Sequence, residues 1–367
     1  MKVIAYPAFS AREQNPYTRL LYGNMRAHVS DFSYYRAMTT KFNVFHVHWP
    51  EWELNTFVSA IEAGTRLKFK LLAIDFIRAR GAKVVWTVHN LKAHEGLHPT
   101  LEKWFWLAFI RRVDAYIALS QSGREAALKH FPQLEHTPGY VIPHGHYRDE
   151  YPNSSSENAR KQLGIDPAAK VLLFFGRVRE YKNVPALIRA FRKTRGNVVL
   201  CVAGQPSSED LTSTVKMEAA ADPRVLLHLY GVPRERVQVF FRAADLVVLP
   251  YRDILNSGTA LLSLSFNRPV LVPDRGAMGE LRAKTGPRWV RTYAGEIDAS
   301  KLEAALNWVI RTERPKEAEL DEWPKLAEQT LSVYEEITAK KKHPSSECYS
   351  GSPPGPPLGN VVRTQRG

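Results

Sequence analysis

The sequence predicts an α/β protein built as two doubly wound parallel-sheet domains that face each other across a cleft. Short apolar runs alternate with stretches of helical period from one end of the chain to the other, the pattern of parallel strands covered by helices. The alternation breaks once, in a polar stretch around Pro152-Asn153-Ser154-Ser155-Ser156, and then resumes. At 367 residues the chain is also long for a single core. The expected division is a first domain over 1–145, a linker over 146–165 and a second domain over 166–342. A disordered tail rich in Pro, Gly and Ser is expected over 343–367.

In the first half the expected strands are 3–6, 44–49, 84–88 and 115–119, with a short one after Gly139. A long helix is expected over 54–80, closed by Gly81, and others over 99–112 and up to His130. The second half repeats the scheme, with strands at 171–175, 198–203, 225–229, 246–249 and 270–272. Helices are expected near 184–195, 208–221, 233–243 and 257–267, with two more beginning near Ser300 and Lys325.

Composition narrows the partners. The formal charge of +14 points to a polyanion, whether nucleic acid, an anionic membrane or a phosphorylated substrate. No helix-turn-helix, zinc-knuckle or RNP-type pattern stands out, so nucleic acid is not the expected partner. Nothing approaches the roughly 18–20 apolar residues of a membrane-crossing helix, and the first residues read as a strand rather than a signal peptide. Cys201 and Cys348 are the two cysteines, so neither disulfides nor a cysteine metal site is expected, which fits a reducing cytoplasm.

The strongest local signal is residues 170–183. An apolar strand ends at Gly176, and Arg177, Arg179 and Lys182 bring positive charge to its carboxyl end. Asn183 reads as the N-cap of a helix that carries Pro185 in its first turn. Strand, glycine, cations and helix start together make a phosphate site. A second such loop follows 246–249, where Tyr251 precedes Asn256, Ser257, Gly258 and Thr259 at the start of the next helix. Asn256 or Ser257 caps that helix, and a capped end still donates N–H groups to a ligand. Two anion-receiving loops in one domain, with Gln205-Pro206 after a third strand, describe a nucleotide-diphosphate site.

These loops, with Arg268-Pro269-Val270, resemble the nucleotide half of GT-B glycosyltransferases, in which Arg177 and Lys182 match positions that contact the donor diphosphate. The ordered set His-Val-His-Trp-Pro-Glu at 46–51, Thr-Val-His-Asn-Leu at 87–91, His-Gly-His-Tyr-Arg-Asp at 144–149 and Leu-Pro-Tyr-Arg at 249–252 is similar to bacterial exopolysaccharide β-1,4-mannosyltransferases of the xanthan type. The resemblance covers about residues 1–340. It implies inverting transfer of mannose from GDP-mannose to a polyprenyl-diphosphate-linked oligosaccharide at the cytoplasmic face of the cell membrane. It departs from the retaining members of the wider group, because no carboxylate stands between Asn256 and Asn267. Asp253 or Glu280 is then left to grip donor hydroxyls. A sugar-nucleotide epimerase with the same loops, or a basic nucleic-acid-binding protein, is the alternative reading.

An inverting transfer needs a general base across the cleft from the leaving diphosphate. The order of expectation is Glu51, Glu95, then His89, each of which also reads as a structural hydrogen bond or an exposed charge. His46 and His48 are expected on opposite faces of their strand, one toward the cleft and one packed. No Asp-x-Asp pair is present, so no cofactor and no metal clamp on the diphosphate are expected. Arg78, Arg80 and Lys83 with Trp104 and Trp106 read as basic and aromatic contacts to an anionic membrane or to the acceptor. An ordinary amphipathic helix with its apolar side in the core gives the same pattern.

Overall fold

A computed structural model describes residues 1–10 and 16–339. The expected tail over 343–367, and Cys348 within it, lie outside the described residues. The first sheet has the strand order β2-β1-β3-β4-β5-β6, with β1 Lys2–Tyr6, β2 His28–Asp31, β3 Val44–Val47, β4 Lys83–Val88, β5 Ala115–Ala118 and β6 Gly139–Val141. Helices α1 Tyr17–Gly23, α2 Tyr34–Thr39, α3 Ala60–Ala79, α4 Pro99–Ile110 and α5 Gln121–His130 connect them. The pairings are parallel, as crossover helices require.

After α6, Ser156–Leu163, the second sheet is built from β7 Lys170–Phe175, β8 Val198–Ala203, β9 Val225–His228, β10 Leu246–Val248, β11 Val270–Pro273 and β12 Val290–Tyr293. Its order is β12-β11-β10-β7-β8-β9. The intervening helices are α7 Val184–Phe191, α8 Glu209–Ala220, α9 Val237–Ala243, α10 Gly258–Ser265 and α11 Met278–Thr285. Two more, α12 Ala299–Arg311 and α13 Trp323–Ala339, are the last elements among the described residues. The strand order reverses between β7 and β10, and such a switch point opens a crevice at the carboxyl ends of the strands. Both loops singled out in the sequence start there.

The domain division needs two corrections. The 146–165 stretch contains α6, which buries Ala159 against Val239 and Ala243 of α9, so part of the expected linker is a piece of the second domain. Helix α13 crosses back and packs Trp323, Leu326, Ala327, Val333, Tyr334 and Ile337 on Val3, Val44, Val85 and Ala115 of the first sheet. Burying each of its aliphatic side chains contributes roughly 1.5–3 kcal/mol, so 323–339 belongs to the first domain. The two crossovers run side by side where Gly145 bridges Asp321, and a side chain at Gly145 would strike the Trp323 ring at 2.5 Å.

Candidate functional site

The cavity at the carboxyl ends of β7, β8 and β10 is shaped by two glycines. Gly176 has φ +111°, and a Cβ there would meet Lys182 Nζ at 3.3 Å and Thr259 Oγ1 at 3.5 Å. Gly204, after β8, has φ +146°, and a Cβ would collide with the Gly176 carbonyl at 2.2 Å. The loops after β7 and β8 are zipped together, Val178 N donating to Gln205 O and Ser207 N to Val178 O, each at 2.9 Å. The loop after β10 joins them through Arg252 N, which donates to Tyr181 O at 2.8 Å. Asn183 occupies the cap position of α7 in the left-handed region at φ 55°, but its side chain donates to Glu296 Oε2 at 3.0 Å instead of capping the helix.

Lys182 is buried, with its ammonium 5.3 Å from the centre of the Tyr251 ring. Burial, and then the nearby Arg179 and Arg177, lower it from the ordinary lysine range to about 7. A cation held at that cost in an open cavity is primed for an anion. Arg177, Lys182, Gly258 and Thr259 line one cavity of about 450 Å³, with Gly176, Gly204, Gln205 and the turn Gly231-Val232-Pro233. Asn256 also lines it, and its Nδ2 is buried without a protein partner. That amide is an unpartnered donor at the edge of the cavity.

Four donor-site expectations are modified. Ser257 is the N-cap of α10, its Oγ accepting from Ala260 N at 3.1 Å, and it faces a different cavity. Tyr251 is buried beneath Lys182 as its support and opens toward a neighbouring cavity of about 810 Å³. Glu280 is not available to a donor, because its carboxylate accepts Gln121 N at 2.9 Å and Ser122 N at 2.6 Å from the start of α5 in the other domain. Asp253 likewise pairs with Lys92 across the cleft at 2.7 Å.

On the opposite wall the three candidate bases separate. Glu51 is 2% exposed and outside the cavity wall, its Oε1 accepting from Asn90 Nδ2 at 2.8 Å. Burial raises its carboxyl to about 7, but Asn90 stands between it and the cleft. Glu95 accepts from Arg179 Nε at 3.1 Å in a shielded pair that joins the two domains. His89 lines both cavities. Its ring stacks on Trp49 at 4.4 Å and meets Tyr17 edge-on at 4.8 Å, and burial holds it well below the ordinary imidazole value. It is therefore neutral at pH 7, with one ring nitrogen bare to accept a hydrogen bond.

His46 and His48 do not part to opposite faces. Residues two apart on a strand share a face, and their rings lie 4.2 Å apart. The sequence reading had His144 within the 144–149 motif but gave it no site role, and it missed Tyr151 and the Gly231-Val232-Pro233 turn in the cavity wall. Only the glycine–proline turn after a strand carried a local signal.

The membrane set also changes. Trp106 is buried and donates to Glu102 Oε1 at 3.3 Å, whereas Trp104 is exposed. Arg78 and Lys83 both reach Asp114, at 3.5 and 3.4 Å, and Arg80 donates to the carbonyls of Ala37 and Met38. Arg78 and Arg80 thus tie the end of α3 to its neighbours, and Lys83 ties β4 to the start of β5. The outer stripe of α3 is instead apolar, with Ile61, Phe69, Leu72 and Phe76 exposed. Tyr35 and Met38 of α2 and Trp104 and Leu107 of α4 are exposed on the helices to either side. No helix among the described residues is long and apolar enough to cross a membrane.

Two parallel-sheet domains that meet at a cavity lined by Arg177, Lys182 and the start of α10 have the GT-B architecture. Residues 155–322 match the family described as glycosyl transferases group 1. The chain is 31% identical over 333 residues to the GDP-mannose:glycolipid 4-beta-D-mannosyltransferase of Xanthomonas campestris pv. campestris, covering 89% of each. It is 31% identical over 218 residues to the lipopolysaccharide core biosynthesis mannosyltransferase LpsB of Rhizobium meliloti, covering 58% of this chain and 57% of that one. Among solved structures, HepE of Anabaena in complex with UDP-glucose superposes with a TM-score of 0.65 at 16% identity, over 93% of this chain and 99% of that one. The chain belongs to the group 1 glycosyl transferases.

Proposed function

We propose that this glycosyltransferase moves mannose from GDP-mannose, with inversion and without a metal ion, to a hydroxyl of a lipid-diphosphate-linked oligosaccharide. Similarity to a GDP-mannose:glycolipid 4-beta-D-mannosyltransferase over nine-tenths of both chains supports the donor, the 4-linkage and a glycolipid acceptor. The observation that carries the mechanism is His89, a neutral imidazole that lines the same cavity as Arg177, Lys182 and Thr259 but comes from the other domain. The acceptor O–H bond breaks as its proton passes to the imidazole, and the oxygen forms a bond to the sugar C1 from the face opposite the diphosphate. The C1–O bond to the diphosphate breaks, and the charge that grows there falls to Lys182, Arg177 and the N–H groups at the start of α10. Asn256 Nδ2 donates to a donor oxygen. The lipid end of the acceptor lies at the membrane, against the apolar stripe of α3 and its flanking helices, at the inner leaflet.

Calorimetry with GDP, UDP, ADP and their sugar conjugates tests the donor: GDP-mannose binds, and binding confined to UDP-sugars would end the mannosyl reading. His89→Gln lowers kcat by about 10²–10⁴-fold with donor affinity intact. Glu51→Gln, behind Asn90, keeps most of the activity. The reverse order would return the base to Glu51.

A further inference from the structure

Behind His89 runs a buried file of polar side chains that the transfer does not touch. His89 Nε2 lies 3.1 Å from His48 Nδ1, and His48 Nε2 lies 2.6 Å from the Tyr22 hydroxyl. That hydroxyl is 2.9 Å from His46 Nδ1, which the Tyr334 hydroxyl also approaches at 2.5 Å, and His46 Nε2 reaches Thr87 Oγ1 at 2.7 Å. His46, His48, Tyr22, Thr87 and Tyr334 are each at most 3% exposed. Four elements, α1, β3, β4 and α13, meet to build the file, and none of its members lines the cavity that receives the diphosphate.

A neutral imidazole carries one N–H and one bare nitrogen, and the partner of one nitrogen decides the state of the other. We propose that this file fixes His89 as the tautomer protonated on Nε2, so that the bare Nδ1 faces the acceptor hydroxyl, with His48 and Tyr22 as positioning residues. The inference rests on the reading of His89 as the base. No described residue takes His89 Nδ1, while Nε2 is committed to His48. In the proposed direction His89 Nε2–H donates to His48 Nδ1, and His48 Nε2–H donates to the Tyr22 oxygen. The Tyr22 hydroxyl then donates to the Tyr334 oxygen, the Tyr334 hydroxyl donates to His46 Nδ1, and His46 Nε2–H donates to Thr87. Every donor has an acceptor. In the opposite direction Tyr22 donates to His48, His48 Nδ1–H donates to His89, and His89 turns an N–H toward the cleft, where it cannot act as a base. The groups facing His89 are His48 and His46 of the strand, His144 beyond β6 and Tyr17 of α1. Burial keeps all four neutral, lowering His46 to about 3 and His144 to about 4, and raising Tyr17.

The file makes an unusual demand: reversing His48 should do more harm than deleting it. Without the Tyr22 hydroxyl, a buried His48 Nε2–H has no acceptor, so His48 moves its proton to Nδ1 and forces the inactive tautomer on His89. Tyr22→Phe therefore lowers kcat about 10²-fold with donor KM unchanged, and His48→Leu lowers it less. Side-chain ¹⁵N NMR of the full chain labelled on histidine reads the tautomer directly. His89 Nδ1 is bare in the wild type and protonated in Tyr22→Phe. A protonated Nδ1 in the wild type, or a Tyr22→Phe chain with unchanged tautomer and kcat, overturns the file. Should Tyr22→Phe fail to fold, the wild-type spectrum and His48→Leu still decide. Full activity in His89→Gln instead removes the base reading, whatever the tautomer.

Discussion

Lys182 is where burial and binding oppose each other. Desolvation and two neighbouring arginines lower it to about 7, so near neutrality a sizeable fraction of empty sites holds an uncharged amine. A bound diphosphate favours the ammonium and raises its pKa. Binding therefore takes up a proton between the free and bound values, and affinity is greatest below pH 7. Above that it falls by about tenfold per pH unit until the bound value is reached. Calorimetry of GDP at pH 8 in buffers of different ionisation heat should show this uptake, and Lys182→Gln should abolish it. Zero uptake by the wild type would refute the coupling. At this scale the sequence revealed Gly176, Arg177 and Lys182, because a strand, a glycine and cations are neighbours in the chain. It misplaced Glu51 because the residue that screens it, Asn90, lies on the next strand's loop. No spacing rule reports that. Nor did it show that Glu95 is spent on Arg179, since that pair closes only when two domains meet.

Among the elements, α3 departs from what a solvated helix should be. Its inner face, with Leu67, Leu71, Ile74 and Ile77, is buried as helical period requires, yet its outer stripe carries Phe69, Leu72 and Phe76 in water. Each contributes roughly 1 kcal/mol if the face meets acyl chains, so replacing all three with Ser should lower partition onto anionic phosphatidylglycerol vesicles by about a hundredfold. Partition that does not change would exclude this face. The long elements were legible because their apolar runs repeat often enough to define a period. The short ones were not: β2 and β12, of four residues each, lie at sheet edges with half-solvated faces, and α2 spans six residues.

Across the whole molecule, the cleft is closed by pairs that each take one member from either domain: Arg179 with Glu95, Lys92 with Asp253, His94 stacked on Tyr181, and Glu280 on the first N–H groups of α5. Removing the last by Glu280→Ala costs about 1 kcal/mol, the value of a helix cap, and leaves each core intact. The expected result is a larger radius of gyration by small-angle scattering and a lower kcat, with a melting midpoint lower by only about 2–4 °C; an identical scattering profile would show that Glu280 does not hold the domains together. The two-domain plan was legible from one polar break in a repeating pattern. The return of α13 was not, because a helix's apolar face says that it packs but not against which sheet. That return sets an order on synthesis. One face of the first sheet, including Val3, Val44, Val85 and Ala115, has only the α1 side of its cover while the entire second domain is translated, and is closed over when residues 323–339 leave the ribosome. The half of the protein made first is thus the half completed last.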